Sequence, residues 1–297
     1  MRVLWLSFSF MTVAPWHASL ESLRQHEIST CWYDRLPQPM DRGIMDAVDR
    51  TEPDVVLYTG MADWSKTPSS NTFRRIRSKC PIVHISGDLS DPPCHEFLYA
   101  YKDAECFTLT VNIDGNDDWP KWGKDYTALS PTAPQFYLKQ KSIGIRDIDL
   151  GFAGSFSSPS RAEIINHLRN NAGMVIKPYN QAYGSYQEYA SFLMRCKIVP
   201  NVPISGSDAV RQVKGRVLES GLAGCCLVDH VTSKASAWFE PYKDYFEYDT
   251  KESAAEVIKA LLEAPELMQE VADNLQKKIL RHHSPEQFWG RLFSRLA

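Results

Sequence analysis

The sequence predicts an α/β protein built from two parallel sheets, and three observations carry that expectation. Short β-branched runs that read as buried on both faces alternate with helical segments from the first residues onward. The alternation lapses once, between Asp114 and Asp147, where Trp119-Pro120, Pro131 and Pro134 interrupt a polar, aromatic-rich stretch. It then restarts as the same strand-helix succession. At roughly 100–200 residues per domain, 297 residues fit two domains. They are expected at 1–140 and 141–297.

In the first half, Val3 to Phe8 reads as a buried strand, Ala18 to Gln25 as a helix and Ser29 to Tyr33 as a second strand. Ile44 to Arg50 is helical, Asp54 to Gly60 is a strand ending in Gly, Phe73 to Ser78 is a helix and Ile82 to Ser86 a strand. This βαβ succession indicates a Rossmann-like half. In the second half, strands at Leu150–Ser155, Met174–Lys177, Lys197–Val202 and Cys225–Val228 alternate with helices at Arg161–Arg169, Tyr186–Arg195 and Val210–Leu222. The expected architecture is two Rossmann-like domains facing across a cleft.

The tail reads as amphipathic helices over Glu252–Ala264 and Glu266–Arg281, with Pro265 and Pro285 near helical N-termini, where a missing amide proton costs little. Phe288, Trp289, Leu292, Phe293 and Leu296 give the last helix an apolar stripe that must dock, and the first domain is the expected place.

Hydrophobic types at 43% and charged types at 23% argue against disordered and fibrous classes. Lys plus Arg at 33 against Asp plus Glu at 36 leaves a charge of -3, which does not favour nucleic acid or anionic lipid as a general partner. The opening run MRVLWLSFSF lacks a signal-peptide cleavage site and reads as a strand. No segment approaches the roughly 18–20 apolar residues of a membrane span. Seven Cys without paired spacing fit neither a disulfide framework nor a zinc site, and a cytoplasmic location is expected. P-loop, Gly-x-Ser-x-Gly and Gly-x-Gly-x-x-Gly patterns are absent from the sequence.

The most informative segment runs from Val213 to Asp229. On a helix, Arg216 and Glu219 are three residues apart and share a face. One reading is an intrahelical ion pair on a solvated surface. The other is a nucleotide-sugar site in which Arg216 and Lys214 neutralise a diphosphate, Glu219 accepts ribose hydroxyls, and Gly221 and Gly224 permit close backbone approach.

Lys214-Gly-Arg-Val-Leu-Glu219, Gly221-Leu-Ala-Gly224 and the apolar strand that follows resemble the donor signature of GT-B retaining-type glycosyltransferases, especially the CgeB-like branch and its group-one relatives. Trp238-Phe-Glu-Pro241, Tyr245 to Asp249 and Ile279 to Ser284 resemble that family's C-terminal succession, so the likeness covers about Ile148 to Phe293. It implies a glycosyltransferase that moves a sugar from a nucleoside-diphosphate sugar to an acceptor hydroxyl, with retention and without a required divalent metal. The donor would lie on the C-terminal domain, where the loop from Gly154 and Ser155 through Ser157, Ser158 and Ser160 to Arg161 would face the phosphates. Helix-end amides favour an anion there on physical grounds, although a Ser-Pro helix cap is an equal reading. Lys177 is a candidate for the nucleobase or for plain solvation. Asp208 is the candidate for a further acidic residue that many members place before the ribose-binding Glu.

On the acceptor side, Thr12 to His17 follows the first strand, where open α/β sheets put ligands, and His17 is a candidate general base or a structural histidine. Asp88 and Asp91, in a turn resembling one of CgeB-like proteins, are candidates for the cleft or for turn capping. Asp147-Ile-Asp149 satisfies the letter of a metal-binding motif but reads as solvated carboxylates, and His282-His283 is not a zinc pattern. The run Arg74, Arg75, Arg77 and Lys79 is a solvated helix face or a receiver for an anionic glycan, lipid or nucleic-acid acceptor. The rival functions are a sugar-nucleotide epimerase or phosphorylase on the same fold, and a non-catalytic nucleotide- or glycan-binding module.

Overall fold

The computed structural model describes residues 1–9, 14–60, 67–137, 142–155, 158–178 and 185–296. It divides into two compact units, Met1–Pro131 with Pro285–Ala297, and Thr132–Ser284. By contacts the chain divides at Pro131/Thr132, and the last helix joins the first unit, where its apolar stripe is expected to dock.

The first unit is a six-stranded, wholly parallel sheet. Its strands are β1 (Arg2–Ser7), β2 (Glu27–Trp32), β3 (Val55–Thr59), β4 (Ile82–Ser86), β5 (Leu109–Asn112) and β6 (Tyr126–Thr127), ordered β2-β1-β3-β4-β5-β6. The continuous apolar runs arise because successive residues feed different cores. Leu4, Leu6, Val56 and Tyr58 pack with α2 (Met40–Thr51), α3 (Ser70–Arg77) and α4 (His95–Asp103). Val3, Trp5, Val55, Leu57, Val83 and Ile85 pack on the other face with Leu20 of α1 (Ala14–Glu21) and with Phe288, Trp289 and Leu292 of the last helix, Pro285–Ser294.

The second unit is also wholly parallel. Its strands are β7 (Ile148–Gly154), β8 (Val175–Pro178), β9 (Cys196–Pro200), β10 (Cys226–His230) and β11 (Phe246–Tyr248), ordered β11-β10-β9-β7-β8. Leu150, Phe152, Ile198, Cys226 and Val228 form a core with Ile165 and Leu168 of α5 (Pro159–Asn171) and Ile258 and Leu261 of α8 (Lys251–Leu262). The remaining helices are α6 (Tyr186–Leu193), α7 (Gly215–Leu222) and α9 (Pro265–His282), and the helix of the first unit at Pro285–Ser294 is α10. The helix expected from Val210 starts only at Gly215. Residues before it close a turn, with an Ile204–Arg211 bridge and Asp208 in the left-handed region at φ 68°.

In each sheet the chain crosses from one side of its first strand to the other, between β1 and β3 and between β7 and β9. Open α/β sheets bind ligands outside the carboxyl ends of the strands at such a crossover. The second crossover is where the sequence signature falls.

Candidate functional site

Arg216 reaches this crossover from the first turn of α7. Its Nε and Nη2 donate to the Ala153 carbonyl on β7, at 3.2 and 2.5 Å, and Nη1 donates to Asn201 Oδ1 just beyond β9, at 3.3 Å. The guanidinium also lies 4.2 Å from the Phe152 ring centroid, a cation–π contact. Gly154 makes room for this, since a methyl group there would stand 2.2 Å from Arg216 Nη2. Arg216 is thus fixed by strand ends, and the intrahelical pair with Glu219 does not form.

Glu219, half-buried one turn later on α7, is held by tyrosines of α6. Tyr186 Oη donates to Oε1 at 2.9 Å and Tyr189 Oη to Oε2 at 2.6 Å. Its carboxyl carbon lies 3.8 Å from the place a side chain on Gly215 would occupy, so it sits beside the start of α7. Burial pushes its carboxyl up, opposed by the two phenols and by the charge of Arg216.

A second carboxylate joins the network. Asn201 Nδ2 donates to Asp229 Oδ1 at 2.9 Å, as does the His230 amide at 2.8 Å, which places Asp229 behind Asn201 at the end of β10. Asp229 is fully buried, and burial raises its carboxyl to about 7 against the pull of Ser233, Asn201, the His230 amide and Arg216. An unfolded Asp titrates near about 3.9, so between about pH 4 and 7 the folded state holds the extra proton and stability falls as pH rises. Asp229→Asn is therefore expected to exceed the parent in urea unfolding free energy by a few kcal/mol at about pH 8, from roughly 1.36 kcal/mol per pKa unit. The advantage should vanish near pH 4. A constant difference across that range would show that the carboxyl is not raised.

The other sequence candidates separate. Lys214 occupies the N-cap of α7, and its Nζ donates to the buried Gln212 side chain. Ser155 accepts from Arg161 Nη1 through its carbonyl and hydroxyl, at 3.4 and 3.3 Å, while Arg161 Nη2 donates to the Ile204 carbonyl at 2.5 Å. Ser158 caps α5 by accepting from the Arg161 amide, as the Ser-Pro cap reading expects. Ser160 donates to Asp208 at 2.7 Å, and this bond holds the Asp208 carboxyl below its ordinary range. Ser157 lies outside the described residues.

Two glycines have other work. A methyl group on Gly221 would stand 2.4 Å from Ile279 Cδ1 and 2.8 Å from Leu275 Cγ, so this glycine lets α7 approach α9 and does not admit a ligand. Gly224, at φ 63°, takes the left-handed turn that ends α7. Lys177 points its Nζ over the Phe192 ring, 5.3 Å from the centroid.

In the first unit, His17 is buried between Trp5, 3.9 Å away, and Trp32, 5.0 Å away, both rings near-parallel to it. Burial lowers its pKa to about 4, so the ring is a neutral member of an aromatic stack and not an exposed base. Thr12 lies outside the described residues. Asp88 is exposed in a left-handed turn at φ 73°, and its carbonyl accepts from the amide of buried Asp91 at 2.9 Å. Ser90 of that turn is bound through amide and hydroxyl by buried Asp114, a residue that no local pattern marks out.

Asp147 and Asp149 pair with Arg195 and Lys197 on the surface. Lys79 pairs with Asp49, and Arg77 donates to the Glu105 carbonyl. His283 packs against Trp238 and Phe239. Among the described residues no group of His, Cys, Asp and Glu is arranged to hold a metal ion, and no helix is long and apolar enough to cross a membrane.

Residues 159–294 match the family described as glycosyl transferase-like. No curated protein matches the chain. Among solved structures, Anabaena HepE in complex with UDP and glucose is similar at 12% identity and TM-score 0.63, with 99% of each chain covered. Sucrose-phosphate synthase from Thermosynechococcus elongatus is similar at 9% identity and TM-score 0.69, over 100% of this chain and 99% of that one. An α-glucosyltransferase in complex with UDP and a mismatch-containing DNA is similar at 10% identity and TM-score 0.71, over the same shares. At these identities the likeness is one of fold, and the fold is that of GT-B glycosyltransferases.

Proposed function

We propose that this chain, whose residues 159–294 match a glycosyl transferase-like family, transfers a sugar from a nucleoside-diphosphate sugar to an acceptor hydroxyl. One observation carries the reading. The first turn of α7 brings a strand-anchored guanidinium, Arg216, to the crossover of the second sheet, and the next turn carries a phenol-held carboxylate, Glu219.

The two groups divide the work of binding and chemistry. Arg216, with the partial positive charge of the leading amides of α7, stabilises negative charge growing on the departing diphosphate. Its bonds to Ala153 and Asn201 orient this cation, so little reorganisation accompanies bond breaking. Glu219 accepts hydrogen bonds from ribose hydroxyls and fixes the nucleoside. This mechanism uses no divalent metal, and retention of configuration follows from the resemblance of Lys214–Glu219 to the retaining-type signature alone. Asp88, Asp91 and the loop that holds them are the acceptor-side candidates.

Calorimetric titration with UDP, GDP, ADP, CDP and dTDP, with and without magnesium, tests the donor site. UDP is the first to try, because the HepE and α-glucosyltransferase structures hold it. Binding of one nucleotide, weakened by about 1–3 kcal/mol in Glu219→Ala, is the expected result. Failure of all five to bind would overturn the reading, and donor turnover without an acceptor would move it to an epimerase or phosphorylase.

A further inference from the structure

We infer that Tyr186 and Tyr189 are positioning residues that aim the Glu219 carboxylate at a ribose diol and make the site discriminate against 2′-deoxynucleotides. The inference rests on the proposed role of Glu219 and adds how its selectivity is built.

A phenol has a single proton to donate. Tyr186 gives its proton to Glu219 Oε1, so in its 2.7 Å contact with Tyr137 the donor is Tyr137. The chain Tyr137 to Tyr186 to Glu219 therefore runs one way, and each bond polarises the next. Tyr189 supplies the matching donor to Oε2. Ring contacts keep the phenols in place: Phe136 meets Tyr186 edge-on at 4.9 Å, and Tyr186 lies 5.4 Å from Tyr189.

The chemistry of these donors explains the choice of residue. An Arg or Lys in their place would neutralise Glu219 and satisfy it. Arg216, the cation nearest in sequence, is instead turned toward Ala153 and Asn201. Neutral phenols fix the carboxylate plane and leave its charge to attract donors from a ligand. A carboxylate so held offers only acceptors, one on each oxygen, and two adjacent hydroxyls satisfy both. A nucleotide lacking one hydroxyl leaves one side of the carboxylate unmatched, which is the arrangement that rejects the lesser analogue.

The test compares dissociation constants of UDP, ADP and GDP with those of their 2′-deoxy counterparts, for the parent, Tyr186→Phe, Tyr189→Phe, the double variant and Glu219→Gln. The parent should prefer the ribonucleotide that it binds by about tenfold or more, a difference of about 1.4 kcal/mol. Each Tyr→Phe variant should reduce that preference by several-fold and the double variant should nearly abolish it, with affinity for the 2′-deoxy nucleotide unchanged. In turnover, KM for the donor should rise while kcat holds.

Equal loss of both affinities in the Tyr variants would assign them a merely structural part and overturn the inference. Preference retained in the Tyr variants but lost in Glu219→Gln would overturn it while leaving the ribose role of Glu219 standing. A preference intact in Glu219→Gln, or no preference in the parent, would remove the ribose role itself and the inference with it.

Discussion

Arg216→Ala is expected to lower kcat by about 10²–10³, equivalent to roughly 2.7–4 kcal/mol of lost transition-state stabilisation, with a much smaller effect on nucleotide affinity. The asymmetry follows from where the charge is held. A guanidinium tied to the Ala153 carbonyl and to Asn201 cannot follow the substrate, so its advantage is realised where negative charge develops. Arg216→Lys should rescue little, because a single ammonium cannot reach Ala153 and Asn201 in the same planar fork. Gly154→Ala supplies an independent check without removing the cation. Its methyl group would stand 2.2 Å from Nη2, so the guanidinium must leave the Ala153 carbonyl. The methyl group would also stand 3.0 Å from Cζ of buried Phe152, so some stability is lost as well, and kcat of the folded variant should fall while its nucleotide affinity changes little. Single-turnover rates and Kd values measured on the three variants decide the matter. Equal losses in binding and rate for Arg216→Ala would make it a binding residue only, and normal turnover in Gly154→Ala would show that its anchored position is immaterial.

The sequence made the strands readable because burial on both faces turns a strand into a continuous apolar run. Val3–Leu6, Val55–Tyr58 and Ile82–Ile85 are such runs, and the structure divides each between two cores. Leu109–Asn112 of β5 alternates apolar with polar residues and Tyr126–Thr127 of β6 is a single pair, so neither shows an unbroken apolar run. At the start of α7 the period misled. Val210, Val213 and Val217 have helical spacing, yet the turn through Asp208 delays the helix to Gly215.

The site was legible in part for the same kind of reason. Arg216 and Glu219 fall in one local segment, so their proximity needed only a helix. Their partners come from residues 15 to 63 positions away along the chain, and no local spacing announces such contacts. Asp229 offered one usable signal, a carboxylate ending the apolar run Cys225–Val228, because a buried strand closes at the edge where ligands bind. Tyr186 and Tyr189 offered another, two phenols three apart on one helix face. For His17 the position after β1 pointed outward, but α1 starts at Ala14 and turns the ring between two tryptophans.

Trp289→Ala is expected to destabilise the first unit by about 3–5 kcal/mol, the cost of a large aromatic cavity. Trp289 is fully buried, meets Trp5 edge-on at 5.4 Å and donates from its indole nitrogen to Ser19 Oγ at 2.9 Å. Through Trp5 it adjoins the stacked His17, and through Ser19 it reaches α1, so one side chain ties α10 to both the sheet and the helix beneath it. Phe288 and Leu292 extend the same face, which accounts for the apolar stripe of the last helix. Residues at the far end of the chain thus complete a core that the first strand begins. Urea unfolding followed by tryptophan emission reads the loss, and Trp289→Phe should recover about half of it by refilling most of the volume without the indole donor. A Trp289→Ala protein within about 1 kcal/mol of the parent would mean that α10 does not seal the sheet, and the apolar stripe would again lack a physical cause.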